Sequence, residues 1–194
     1  MPKVLVVGAS RGLGLALVEE LRSRSSISVI ATVRGSIPLE GIDTLTDVDI
    51  SSDDSIAAAA QHPLVKELDV IIYLSINVVS PHRVVSAFLP ALRKGEDKKI
   101  VFISSRAGSL HTQIGNTFGF MGPYTVTKAG CNMLAEGFII VPVHPGWVAT
   151  DMGKLLGGGI EPKDSAQGIV RVVEGLKRED SAKFFQFDGT LLPW

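Results

Sequence analysis

Five short, apolar, β-branched segments alternate with segments of helical pattern along this chain. The five are KVLVVG, ISVIATV, LDVIIYL, KKIVFIS and GFIIVPV, each bounded by glycine, proline, serine or charged residues. Runs of this kind are typical of strands buried on both faces of a parallel sheet. The helical patterns are GLALVEELRSR, SDDSIAAAAQH, PHRVVSAFLPALRK, PYTVTKAGCNMLAEG and PKDSAQGIVRVVEGLKR. The alternation predicts an α/β fold, a doubly wound parallel sheet of Rossmann type in three α/β/α layers.

The length and charge of the chain narrow its domain count and its partners. With 194 residues, we expect a single domain over 1–194. Its 19 basic and 20 acidic residues give a formal net charge of -1, which favours a small-molecule partner over nucleic acid or a membrane surface. Cys131 has no second cysteine to pair with, and no apolar run approaches the roughly 20 residues that span a bilayer. We therefore expect a cytoplasmic protein without a transmembrane segment.

Three glycines follow the first predicted strand, in VLVVGASRGLGLALVEEL. Gly8, Gly12 and Gly14 fall where that strand turns into an amphipathic helix. Glycine there allows a tight turn and a close approach of the backbone to a pyrophosphate, whose charge the N–H groups of the helix start would meet. The turn therefore predicts a phosphate site, with a glycine-rich turn that serves packing alone as the alternative.

Two arginines indicate which dinucleotide would bind. Arg11 lies inside the glycine turn, and Arg34 follows the second predicted strand. An acidic residue at the Arg34 position would grip the ribose hydroxyls of NAD, whereas a cation suits the 2′-phosphate of NADP. We therefore expect NADP(H) to be favoured over NAD(H), with a solvated Arg34 as the alternative.

The order of four motifs resembles that of one enzyme family. G-x-x-x-G-x-G follows the first strand, FISS follows a later strand, YTVTK lies on the next helix, and HPGWVATDM comes after it. This order is similar to that of the short-chain dehydrogenase/reductases, and the resemblance covers nearly the whole chain. SSRAGSL and DGTLLPW resemble the carbonyl-reductase-like subgroup of C-factor and sniffer proteins. The resemblance implies an oxidoreductase that transfers hydride between a nicotinamide cofactor and a carbonyl or alcohol.

The resemblance also implies four catalytic residues. Tyr124 would protonate the carbonyl oxygen, Lys128 would lower the pKa of that tyrosine and hold the nicotinamide ribose, and Ser105 would hydrogen-bond the substrate oxygen. Asn77 would support a water and proton relay to the lysine. The alternatives are an ordinary helix pair for Tyr124 and Lys128, a strand end for Ser104 and Ser105, and a helix cap for Asn77.

The cofactor contacts follow from the same resemblance. They are Gly8, Ser10, Arg11, Gly12 and Leu13 in the turn, Arg34, Asp49 at the adenine, Asn77, Tyr124 and Lys128, and Pro145, Gly146, Val148 and Thr150 around the nicotinamide. His111 and His144 lack a partner at the spacing of a metal site. We therefore expect no metal and interpret both histidines as structural or solvated.

Two segments are shorter than the family pattern. No NNAG-like loop separates LDVIIYL from Asn77, and little more than a short helix lies between Lys128 and GFIIVPV. A parallel crossover needs a dozen or more residues, which the stretch from Tyr73 to Lys99 still provides. Three explanations stay open: an economical active enzyme, a variant that has lost catalysis, or segments absent from the sequence as given.

Two functional hypotheses follow. The first is an NADPH-dependent reductase of an aldehyde or ketone, and the alternative is a non-catalytic NADP(H)-binding sensor or interaction protein. The resemblance implies a homodimer or homotetramer, although the short helix after Lys128 is the one that usually builds a dimer interface. Apolar residues near the motifs favour a hydrophobic carbonyl substrate, with core or lid packing as the alternative; they are Phe118, Phe120, Met121, Trp147 and Leu155.

Overall fold

A computed structural model describes residues 1–74, 79–113, 138–150 and 159–194. In these ranges the strands are β1 (Lys3–Val7), β2 (Ser28–Thr32), β3 (Asp43–Leu45), β4 (Val70–Tyr73), β5 (Lys99–Ile103), β6 (Ile139–His144), β7 (Phe184–Gln186) and β8 (Leu191–Leu192). The α-helices are α1 (Gly12–Arg22), α2 (Asp53–Ala60), α3 (Val79–Leu92), α4 (Leu110–Gln113) and α5 (Pro162–Gly175). Short 3₁₀ turns occur at Pro63–Val65, Arg106–Gly108 and Arg178–Asp180.

One sheet runs through the whole described part of the chain. Its strand order is β3-β2-β1-β4-β5-β6-β7-β8, and every neighbouring pair is parallel except β7 with β8. Strand order reverses between β1 and β4, which is the switch point where doubly wound sheets bind ligands outside the carboxyl ends of their strands. The predicted α/β fold is confirmed.

The two faces of the sheet carry separate apolar layers because side chains alternate along a strand. Val4 and Val6 of β1 pack with α1 and α5, whereas Leu5 and Val7 pack with α2 and α3. The helices meet these layers with an apolar stripe each, for example Leu17 of α1 on the first face. The central strands are therefore buried on both sides, as their continuous apolar runs predict.

The helix starts follow local sequence rules. The Ser52 side chain caps α2 by accepting a hydrogen bond from the Ser55 N–H at 3.3 Å. Asp53 and Asp54 then place negative charge beside the positive end of the helix dipole. Pro162 occupies the first turn of α5, where its missing N–H is harmless.

Three strands are absent from the sequence-based prediction. β3 and β7 have three residues each and β8 has two, so none carries an apolar run long enough to recognise. β7 and β8 form an antiparallel hairpin, which makes the sheet mostly rather than wholly parallel. The predicted helix PYTVTKAGCNMLAEG lies outside the described residues. Among the helices that the structure describes, none is long and apolar enough to cross a membrane.

Candidate functional site

The predicted site residues that the structure describes gather at the carboxyl edge of the sheet. Gly8 follows β1, Arg34 lies two residues beyond β2, Ser105 follows β5, and Pro145 follows β6. All of these strands are parallel, so their carboxyl ends share one edge. The glycine turn lies beside the switch point of the sheet.

A cavity of about 220 Å³ opens at this edge beside the glycine turn. Four of its lining residues are predicted cofactor contacts: Gly8, Ser10, Arg11 and Arg34. Arg11 and Arg34 are two cationic residues among its lining, so the charge of the cavity suits an anionic ligand. The structure thus brings together the two arginines that the sequence separates by 23 positions.

Close packing in the glycine turn requires the absence of side chains. Gly8 and Gly12 have φ angles of +92° and +57°, a region that residues with a Cβ rarely adopt. A Cβ on Gly14 would lie 2.2 Å from the Gly8 carbonyl oxygen. The first turn of α1 therefore packs directly against the end of β1, and α1 begins one residue after Arg11, which lines the cavity.

Thr32, the last residue of β2, holds the turn in place. The Gly8 N–H donates to Thr32 Oγ1 at 3.1 Å, and the Ala9 N–H donates to the Thr32 carbonyl oxygen at 2.9 Å. Thr32 also lines the cavity together with Val48 and Ile50. Sequence reasoning missed all three residues, because an apolar or hydroxyl side chain carries no chemical signal of its own.

Asp49 lies between Val48 and Ile50, and its carboxylate is held by hydrogen bonds from Ser51, two residues further along the chain. Its Oδ1 accepts hydrogen bonds from the Ser51 N–H at 2.9 Å and from the Ser51 hydroxyl at 2.7 Å. These bonds, with a smaller contribution from the charge of Arg34, lower the pKa of Asp49 below its ordinary value. Asp49 is thus an anion near Arg34, and its apolar neighbours Val48 and Ile50 supply the cavity wall.

The loop after β6 reaches back to the glycine turn. Thr150 lies next to Gly12, since a Cβ on that glycine would be 3.4 Å from Thr150 Cγ2. The buried Ser165 hydroxyl of α5 donates to the Pro145 carbonyl oxygen at 2.6 Å and fixes the start of the loop. Gly146 has φ +80°, and a Cβ there would lie 2.4 Å from Ile160 Cδ1. Four predicted nicotinamide contacts, Pro145, Gly146, Val148 and Thr150, therefore belong to one fixed loop.

Ser104 and Ser105 directly follow β5, and their side chains have different surroundings. Ser105 is partly exposed, and its Oγ accepts a hydrogen bond from the Ala107 N–H at 3.2 Å. Ser104 is buried, and its N–H donates to the Val143 carbonyl oxygen of β6 at 2.8 Å. Of the two, Ser105 is the serine whose hydroxyl is accessible at the carboxyl edge of the sheet.

Known proteins resemble the chain in sequence and in fold. The C-signal protein of Myxococcus xanthus is 41% identical over 129 residues, covering 62% of this chain and 75% of the relative. The 1-hydroxy-2-glutathionyl-2-methyl-3-butene dehydrogenase of Rhodococcus sp. (strain AD45) is 30% identical over 231 residues and covers 100% of both chains. The NADPH-bound carbonyl reductase from chicken fatty liver superposes with a TM-score of 0.81 at 26% identity, covering 100% of this chain and 99% of the other. A scan against protein-family models finds no match.

The chain belongs to the short-chain dehydrogenase/reductase family. Within that family it fits the carbonyl-reductase-like subgroup. The alignment with the Rhodococcus dehydrogenase spans 231 positions against the 194 residues of this chain, so it contains positions that this chain lacks. This shortfall agrees with the two short segments that the sequence indicates.

Several predicted residues of this short-chain dehydrogenase/reductase lie outside the described residues. They are the catalytic candidates Asn77, Tyr124 and Lys128, and the apolar candidates Phe118, Phe120, Met121 and Leu155. Trp147 is described, and its side chain is exposed. Within the described ranges, no group of three or more histidine, cysteine, aspartate or glutamate residues is arranged to hold a metal ion.

The described residues fit the adenine half of a phosphorylated dinucleotide. A Cβ on Gly14 would collide with the Gly8 carbonyl oxygen, so glycine there lets α1 begin close to β1, where the N–H groups of a helix start can meet a phosphate. Arg11 and Arg34 add the positive charge that a 2′-phosphate requires, and Val48 and Ile50 add apolar surface for a base. Leu13 is buried in the core, so its predicted contact with a cofactor would come from its backbone N–H.

His144, at the end of β6, makes the stability of the folded protein depend on pH. Burial, helped by the charge of Arg106 and opposed by that of Asp188, lowers its pKa from 6.5 to about 4. Between pH 6.5 and 4 the unfolded chain binds a proton that the folded chain does not, so stability falls as pH falls through this window. We expect a loss of about 2–3 kcal/mol from this residue.

The pH dependence of the free energy of unfolding, measured from urea titrations between pH 7 and 4, checks this expectation. His144→Asn, which does not titrate, should remove most of the loss in that window. His82→Asn on α3 is the matched control, since His82 is exposed, and this variant should keep most of the loss in that window. Parallel profiles for His144→Asn and the unsubstituted protein would contradict the assignment.

Proposed function

We propose that this short-chain dehydrogenase/reductase is an NADPH-dependent reductase of aldehydes or ketones. The cavity at the glycine turn carries the proposal, because it joins a phosphate cradle to two arginines at the carboxyl edge of the sheet. The similarity to a carbonyl reductase whose structure holds NADPH supports the same cofactor here. When bound, NADPH would supply the hydride that reduces the carbonyl carbon.

The protein side chains would bind and protonate the carbonyl oxygen of the substrate. In this proposal Ser105 donates a hydrogen bond to the carbonyl oxygen, and Tyr124 gives that oxygen a proton as negative charge develops. A free tyrosine has a pKa of about 10, so it exchanges protons poorly near neutral pH. The positive charge of the Lys128 ammonium would favour the phenolate and so lower the pKa of Tyr124, which would make its proton easier to transfer. Asn77 would orient the lysine through a water.

Arg34 is expected to set the preference for NADPH. Arg34→Asp should weaken NADPH binding by about 10- to 100-fold, since it removes a charge-assisted contact and places a negative charge beside the 2′-phosphate. NADH binding should not weaken, because NADH lacks that phosphate and an acidic residue at this position suits its ribose hydroxyls. Fluorescence titration of the reduced nicotinamide measures both constants. Arg171→Asp on α5 makes the same charge change at an exposed arginine that does not line the cavity, and it should alter neither constant.

The reductase activity is tested by NADPH oxidation in the presence of a panel of apolar and polar aldehydes and ketones. Turnover that requires both the carbonyl compound and NADPH supports the proposal. Saturable NADPH binding without turnover on any compound would instead favour the non-catalytic NADP(H)-binding protein, which is the second candidate because the chain has fewer residues than the 231 aligned positions. The hydrophobic character of the substrate, the single domain, the cytoplasmic location and the homodimer or homotetramer stay predictions.

A further inference from the structure

Ser104 and His144 are neighbours across the carboxyl ends of β5 and β6. The strands pair in register at Ile103 and Val143. The Ser104 N–H then donates to the Val143 carbonyl oxygen at 2.8 Å, which extends the parallel ladder by one step. Ser104 therefore lies opposite His144, and His144 in turn pairs with Gln186 of β7. Ser104, His144 and Gln186 are therefore neighbours at the carboxyl ends of β5, β6 and β7.

The side chains of Ser104 and His144 share one face of the sheet. Residues two apart on a strand point the same way, so Ser104 shares the face of Phe102, and His144 shares the face of Ile140. Phe102 and Ile140 belong to the same apolar layer, which also contains Phe88 of α3. Both polar groups therefore lie at the margin of this apolar layer.

Neither polar group finds a hydrogen-bond partner among the residues that the structure describes. Ser104 is 3% exposed, and its Oγ and the Nδ1 of His144 are both buried without a protein partner there. A buried polar atom without a partner is unfavourable, and native proteins pair nearly all such atoms with protein or internal water. The two atoms make no direct hydrogen bond to each other in the structure, so one internal water between these facing positions would satisfy both. A hydroxyl can donate, and the Nδ1 of a neutral imidazole can accept.

We propose that Ser104 and His144 form a polar bridge between β5 and β6 that positions the reacting groups. The Ser104 hydroxyl donates to one internal water, the water donates to Nδ1 of neutral His144, and the imidazole carries its proton on Nε2. Ser105 follows Ser104, and the loop Pro145–Thr150 follows His144. The bridge therefore fixes the distance between the serine that would hold the substrate oxygen and the loop that would hold the nicotinamide. The bridge itself does not depend on the proposed function, whereas its effect on turnover rests on it.

The charged groups facing His144 agree with a neutral imidazole. Arg106, on the 3₁₀ turn after β5, disfavours a second positive charge, and Asp188, between β7 and β8, favours one. Asp188 accepts a hydrogen bond from the Gln186 side chain at 2.9 Å and another from the Thr190 N–H at 3.0 Å. Its carboxylate is thus already hydrogen-bonded within the β7–β8 turn, and burial keeps His144 uncharged near neutral pH.

A double-mutant cycle on thermal unfolding tests the bridge without reference to activity. Ser104→Ala and His144→Leu should each lower the melting temperature, and the double variant should lose about 2–4 °C less than the sum of the two losses. The matched control is Ser109→Ala with His144→Leu. Ser109 is equally buried, but its hydroxyl donates to the Pro193 carbonyl oxygen at 2.7 Å, so this pair should be additive. Additive losses for Ser104 and His144 would overturn the bridge.

A spectroscopic measurement decides the same point on the unmutated protein. Long-range ¹H–¹⁵N spectra at pH 7 should show the Nε2–H tautomer of His144, with Nδ1 shifted toward the hydrogen-bonded range, and Ser104→Ala should reverse that shift. A high-resolution crystal structure then checks the bridge, since it should show a water within hydrogen-bond distance of both atoms. An Nδ1–H tautomer would overturn the proposal.

Kinetics test the positioning role. Ser104→Ala should lower kcat for carbonyl reduction about tenfold and change the dissociation constant of NADPH less than twofold, while His144→Asn, which keeps a polar atom near Nδ1, should stay within about threefold of the unsubstituted kcat. An unchanged kcat in both Ser104→Ala and His144→Leu would overturn positioning. If the unsubstituted protein turns over no carbonyl compound, the proposed function fails, and the unfolding cycle still decides the bridge.

Discussion

Replacing Gly14 with alanine is expected to weaken NADPH binding at least about 100-fold. The new methyl carbon would lie 2.2 Å from the Gly8 carbonyl oxygen and 3.1 Å from Ala9 Cα, both of them backbone atoms. The helix start and the strand end must therefore move apart, which spoils the cradle for the phosphates. Intrinsic helix propensity favours alanine over glycine by about 1 kcal/mol, so a loss of binding would come from this collision alone.

Gly35→Ala is the matched control for this substitution. Gly35 follows Arg34 directly, yet a Cβ there would meet no atom within 4 Å. Both variants are compared with the unsubstituted protein by fluorescence titration with NADPH and by thermal unfolding. The control should behave like the unsubstituted protein in both measurements. A dissociation constant for Gly14→Ala within threefold of the unsubstituted value would mean that the phosphates are held elsewhere.

Replacing Tyr124 with phenylalanine should lower kcat for carbonyl reduction by a factor of about 10² to 10⁴. This range is the usual contribution of a positioned general acid. The phenol oxygen is the only group removed, so NADPH affinity should stay within about threefold. Steady-state rates at saturating NADPH, with the best substrate from the carbonyl panel, measure the effect.

The second tyrosine of the chain provides the control for Tyr124. Tyr73 lies in the core at the end of β4, and its ring packs edge-to-face against Phe102 at 6.4 Å between centroids. Tyr73→Phe keeps that ring contact and should leave kcat within about threefold. Equal rates for Tyr124→Phe and the unsubstituted protein would remove Tyr124 from catalysis, and the Ser–Tyr–Lys assignment would fall with it.

The main strands could be predicted because burial on both faces requires continuous apolar runs. Each of the five predicted runs contains a strand, from Lys3–Val7 to Ile139–His144. The three strands that were missed have two or three residues, and their place in the sheet depends on pairing, of β3 with β2, of β7 with β6 and of β8 with β7, rather than on their own composition. Length and tertiary pairing, which sequence patterns do not carry, account for the difference.

The site was predictable where its chemistry needs a particular residue type. Glycine at a positive φ and arginine beside a phosphate leave such signals, and Gly8, Arg11 and Arg34 do line one cavity. Thr32 serves through its position, since its backbone and hydroxyl anchor the turn, and threonine at a strand end is common. His144 shows the same limit, because its burial and its neighbour Ser104 come from the strand register alone.

The most direct test of the cofactor assignment is a titration of the purified protein with NADPH and, separately, with NADH, followed by the fluorescence of the reduced nicotinamide. We predict saturation with NADPH and at least roughly tenfold weaker binding of NADH, a difference of about 1.4 kcal/mol. That result would establish that the cavity between Arg11 and Arg34 reads the 2′-phosphate. Equal affinity for the two cofactors would contradict the role of the arginines, and no binding of either would contradict the assignment of the glycine turn as a working cofactor site.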